Sequence, residues 1–197
     1  MPRSEIAPQG EVEILVRPLE RQYLLGLIAA RRRNYGKAES IARSLEGIRV
    51  PFQAGTLPRD LARSIRAELL LEKGDLAGAA RQFDWTTMAV RFPSQYESVF
   101  FSRARDRFVY GIILDSLNRR AASGWLEAQA SSYLTHDHVL KAPILLRYAK
   151  HAEREGRKEQ ARTAYARVSK LLRNCDPEVV PMRQEAERGM ARLEGRI

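Results

Sequence analysis

The sequence predicts an all-α fold, an α-α superhelix of about four antiparallel helix hairpins followed by a C-terminal capping helix. Three observations carry that expectation. Apolar residues recur at intervals of three and four along most of the 197 residues, which is the helical period. Prolines stand where helices should begin, and Gly or Asn where they should end. The breaks between periodic stretches are so short that only antiparallel helix pairs can be joined by them.

Residues 1–17 read as an N-terminal extension, in which Val12 to Val16 (VEILV) is the one stretch with an extended character. One domain then spans 18–194. Pro18 opens Leu19, Tyr23, Leu24, Leu27 and Ile28, as a first-turn proline does. Pro58 does the same for Leu61, Ile65, Leu69 and Leu70. Ser94 with Glu97 forms a capping box, the Ser oxygen taking a free amide and the Glu reaching back. Pro143 opens Leu145, Leu146, Ala149 and Ala152, and Asp176-Pro177-Glu178 starts the last helix. The breaks are Arg33-Asn34-Tyr35, Lys73-Gly74-Asp75, Leu117-Asn118-Arg119 and Glu155-Gly156-Arg157, each holding a Gly or Asn able to turn left-handed. Hairpins are expected at about 18–46, 58–91, 94–134 and 142–174, with looser segments at 47–57 and 135–141 and a capping helix at about 178–194.

Composition narrows the class. An apolar fraction of 44% supports a buried core, while 12 Gly and 9 Pro are too few for a disordered chain. A single cysteine, Cys175, excludes an internal disulfide framework. Met1 to Gly10 is polar, unlike a signal peptide, and no apolar run approaches a membrane span. A cytoplasmic protein without membrane contact is therefore expected. The net charge of +10 has two readings, a basic binding face or a surface that is merely solvated. Only 6 of the 34 basic residues are Lys, they are spread along the chain, and Arg31-Arg32-Arg33 is the densest run. The distributed, solvated surface is favoured, which makes nucleic acid a less favoured partner than protein.

Catalytic patterns are missing from the sequence: there is no G-x-G-x-x-G, P-loop, G-x-S-x-G or H-E-x-x-H. His136-Asp137-His138, with His151 further on, lacks a further ligand at a recognised metal spacing and reads as a polar connection. Cys175 precedes a helix start without an adjacent His or Lys to activate it. Glu153, Glu155 and Glu159 alternate with Arg154, Arg157 and Lys158, as on a solvated helix face. Trp85 and Trp125 read as packing residues. No enzyme, cofactor or metal site is expected.

Aligning the breaks exposes a repeat. Asn34-Tyr35 leads to Ala38 and Ala42; Gly74-Asp75 to Ala79 and Phe83; Asn118 to Ser123 and Glu127; Gly156 to Ala161 and Tyr165. Upstream lie Leu25-Gly26, Ala67, Gly111 and Ala149. The pattern resembles the tetratricopeptide repeat: a small residue in the first helix, a polar turn, Ala in the second helix and an aromatic four residues later. The third repeat is degenerate, and the landmarks Ala38, Ala79, Ser123 and Ala161 are more widely spaced than in the standard repeat. Ser102 to Arg105, Ala142-Pro143, Arg147 to Glu153, Glu159 to Tyr165, Asp176-Pro177-Glu178, Pro181 and Glu185-Ala186 are similar to the C-terminal repeat arrays of bacterial serine/threonine kinases and transcriptional regulators.

The resemblance implies a solenoid whose first helices line a concave groove for a peptide or partner helix. It places Tyr23, Arg31, Glu68, Arg105, Phe108, Lys150 and Arg154 among the groove residues. The implied function is a non-catalytic scaffold or adaptor. The alternative is an accessory module of a signalling or transcription system that touches nucleic acid through its basic surface. Self-association through the N-terminal hairpin is a further expectation, from Ile14, Leu15 and Val16.

Overall fold

A computed structural model describes residues 9–50, 54–83, 102–132 and 135–195, with the backbone alone for 9–13, 15 and 135–137. Among these residues every regular element is helical. The α-helices are α1 (Gln9–Arg31), α2 (Tyr35–Glu46), α3 (Leu57–Glu72), α4 (Leu76–Arg81), α5 (Ala104–Ser116), α6 (Ala121–Ser131), α7 (Lys141–Arg154), α8 (Lys158–Leu171) and α9 (Val180–Leu193). Short 3-10 turns, Thr135–Leu140 and Pro177–Val179, lead into α7 and α9. No helix among the described residues is long and apolar enough to cross a membrane. The chain divides into two compact units, Met1–Asp106 and Arg107–Ile197.

In the first unit, α1, α2 and α3 pack pairwise and α4 lies against α3. Leu19, Tyr23, Ala38, Ala42, Leu45, Leu61 and Ile65 fill its core. Close approach depends on Gly26: a Cβ there would run into the Ile65 side chain. In the second unit, α7 packs on α6 and α8, and α9 packs on α8 and α7. Its core joins Leu126, Leu145, Ala149, Ala152, Ala161, Tyr165, Val168 and Ala186. Here Gly189 of α9 leaves room for the Tyr165 ring.

Three turns use the left-handed backbone where the sequence offers it, at Gly74 (φ 78°), Gly156 (φ 73°) and Asn118 (φ 50°). The first turn differs. Arg33 takes the left-handed conformation at φ 58°, and Asn34 instead caps α2, its side-chain oxygen accepting from the Lys37 amide. Asn is a better cap than Arg, so Asn34 caps the helix and the left-handed position falls to Arg33.

The N-terminus also departs from expectation. Val12 to Val16 is not extended but part of α1, and Pro18 lies inside that helix rather than at its start. Pro18 sits on the exposed face, where the carbonyl it leaves unpaired can be hydrated. Val16 and Leu19, buried on either side of it, hold the helix together. Val16 is therefore core, while Ile14 is 70% exposed. The capping box Ser94/Glu97 and Trp85 lie outside the described residues.

Candidate partner-binding face

The first helices of the hairpins carry polar residues where an all-apolar core would suffice. In the first unit, α1, α3 and the start of α5 bring together Tyr23, Asp60, Ser64, Arg103 and Asp106, all buried. The Tyr23 hydroxyl lies 2.9 Å from Ser64 Oγ and donates weakly, at 3.4 Å, to Asp106 Oδ1. Ser64 donates to the same carboxylate oxygen. Arg103 Nε donates to Asp106 Oδ2 at 2.6 Å, and its Nη1 pairs with Asp60 Oδ2 at 3.0 Å. Thr56 donates to Asp60 as well, at 2.7 Å. Arg103 holds a left-handed backbone (φ 63°), an unfavourable state for a side-chain-bearing residue that these two buried ion pairs lock in place.

Beside this cluster runs a ladder of three charged residues. Arg31 Nε of α1 donates to Glu68 Oε1 of α3 at 2.7 Å, and Arg105 Nη2 of α5 donates to the other oxygen of the same carboxylate. The Glu68 side chain is 9% exposed, whereas that of Arg31 is 62% exposed. Arg31, Arg103 and Arg105 balance Asp60, Glu68 and Asp106, so the buried acids are compensated where they lie.

Electrostatics follow burial. Loss of hydration pushes the Tyr23 phenol up to about 12, and the Asp106 charge adds to the rise. Burial lifts the Asp60 carboxyl above its ordinary value against the pull of Arg103. Burial opposes the charges on Arg103 and Arg105, but Asp106 and Asp60 outweigh it at the first, and Tyr23, Glu68 and Asp106 at the second, so both are raised.

The second unit repeats the theme. Asp115 of α5, buried, takes Arg147 Nε at 2.5 Å, His151 Nδ1 at 2.7 Å and the Arg154 guanidinium, all from α7. Arg147 also donates to Ser116 Oγ at 3.0 Å. Lys150 pairs with Glu185 of α9. Glu153 receives both Arg192 Nε and Nη2 at 3.0 Å and the Tyr165 hydroxyl at 2.6 Å. The Arg192 hydrogen bonds hold the Glu153 carboxyl below the ordinary carboxylate value despite partial burial.

The sequence-derived groove residues thus fall into different places. Arg31, Glu68 and Arg105 form one chain of contacts, and Arg154 belongs to the Asp115 cluster with its side chain 53% exposed. Tyr23, 1% exposed, is a core residue with a polar tip, and Phe108 packs on the second core. The Tyr23 ring is closed to a partner, whereas Phe108 is half-buried. His151 is fixed by Asp115, Glu153 by Arg192, and Glu159 pairs with Arg162. Trp125 meets Tyr110 edge-on and donates to the Arg107 carbonyl. No group of three metal-ligating side chains occurs among the described residues. The pairing of Asp60, Arg103 and Asp106 escaped the sequence reading, since the left-handed turn that aims Arg103 leaves no trace in the spacing of apolar residues. Comparison with protein-family models, with curated proteins and with solved structures finds no match.

Proposed function

We propose that this chain is a non-catalytic protein-interaction module, a helical-repeat scaffold of tetratricopeptide type that takes a peptide or partner helix on its first-helix face. The observation that carries this reading is the Arg31–Glu68–Arg105 ladder, in which equivalent faces of successive first helices present charges already held in position. A preorganised polar row loses little side-chain entropy when a ligand engages it. Arg31 stays largely open to solvent, so one end of the row remains available. Support for the repeat comes from the buried small residues Gly26, Ala38, Ala79, Ala149 and Ala161, which sit where hairpin helices must approach closely.

Selection of short peptides from a display library on the full chain tests the proposal. Peptides enriched on the wild type should lose binding to Arg31→Glu and keep it for Arg43→Glu, which reverses an exposed charge on α2. Equal binding to both variants would remove the first-helix face from consideration.

A second reading, an accessory module contacting nucleic acid, draws on the uneven charge. Residues 141–197 hold 14 Lys and Arg against 8 Asp and Glu. Phosphate-driven binding falls steeply with salt, whereas docking of an amphipathic peptide does not.

A further inference from the structure

We infer that the cleft between α8 and α9 is a binding site for a phosphate monoester. The cleft has a volume of about 380 Å3, and none of its lining residues comes from α1, α3, α5 or α7. Ser169 and Lys170 reach it from α8, Arg173 from the turn that follows, and Arg183 and Glu187 from α9. Three cations thus face one carboxylate, in the part of the chain where the excess of positive charge is concentrated.

Two of the three cations are not spent on a counterion. Lys170 and Arg173 are exposed and make no ion pair among the described residues. Arg183 is oriented by donating from Nη1 to the Arg173 carbonyl at 3.0 Å. Its Nε is buried and forms an ion pair with the Glu187 carboxylate at 3.7 Å. A fixed guanidinium and two further cations match a dianion better than a singly charged carboxylate, while the Ser169 hydroxyl donates to Glu187 at 3.5 Å. The C-terminal end of α8 contributes partial negative charge, which the first turn of α9 offsets.

The test is an NMR titration of the full chain with inorganic phosphate, with O-phosphoserine and with a single-stranded oligonucleotide. Saturable shifts are expected at the amides of 169–173 and 183–187 with the first two probes. Tighter binding of O-phosphoserine would identify a phosphorylated side chain as the source, and equal binding would identify free phosphate. Lys170→Glu and Arg173→Glu should each weaken binding about tenfold, as loss of a charge-assisted contact does. Glu187→Gln should tighten it, a gain that a structural defect would not produce. Arg162→Glu, which reverses an exposed charge elsewhere on α8, should leave it unchanged. The inference is overturned by shifts that never saturate, by equal weakening in Arg162→Glu, by no gain in Glu187→Gln, or by an oligonucleotide that binds these amides more tightly than O-phosphoserine.

Discussion

At Gly189 a missing side chain does structural work: a Cβ would stand 2.5 Å from the Tyr165 ring, which is itself fully buried. A ring in a packed core has no room to retreat, so Gly189→Ala should cost about 1–3 kcal/mol. Gly124, inside α6, has nothing within 4 Å of its would-be Cβ. Gly124→Ala should therefore gain about 0.5–1 kcal/mol from helix propensity alone. Urea denaturation of both variants checks the pair, and a shift of the same sign in each would contradict the packing described. Glu153 gives a second residue-scale expectation. Its carboxyl is held below the ordinary value of 4.5, first by the Arg192 hydrogen bonds, so the unfolded chain takes up the proton before the folded one. The stabilisation is therefore fully present above pH 4.5 and lost as pH falls through the folded value. Glu153→Gln should be less stable than wild type near neutrality, and the gap should narrow under acid. A gap that stays constant from pH 7 to pH 3 would mean that the ion pair does not contribute in this way.

Among the elements, the short α4 depends on its cap. Asp75 accepts from the Gly78 amide at 2.7 Å, satisfying one of the free donors of the first turn. Asp75→Ala should cost about 1 kcal/mol, and Asp75→Asn much less, because Asn keeps the acceptor. Thermal melts of the two variants separate these outcomes; equal losses would point to the charge rather than the cap. Much of the element map is readable from such local chemistry. Pro58 stands at the start of α3, Gly74 and Gly156 at left-handed turns, and Pro181 in the first turn of α9. Local rules failed where packing outweighs them. Pro18 looks like a helix start, but Val16 and Leu19 bury on either side of it and carry α1 back to Gln9. The resemblance to the tetratricopeptide repeat pointed to Arg31, Glu68 and Arg105, but not to their mutual pairing. Nor could it reveal that Tyr23 turns inward, since its partners Ser64 and Asp106 are 41 and 83 residues away in sequence.

For the molecule as a whole, polar side chains serve two ends. Deep in the first unit, Arg103 is shared by Asp60 and Asp106 out of reach of solvent. Breaking such a set by removing one partner leaves a buried charge stranded, so it belongs to the scaffold rather than to a ligand. Nearer the surface, the Arg31 end of the ladder is open. Hydrogen exchange of the full chain, with and without a peptide selected on it, tests this division most directly. Bound peptide should slow exchange in α1 and α3 and leave the outer face of α2 unchanged. Protection confined to α2, with α1 and α3 exchanging as before, would contradict a partner-binding role for the first helices.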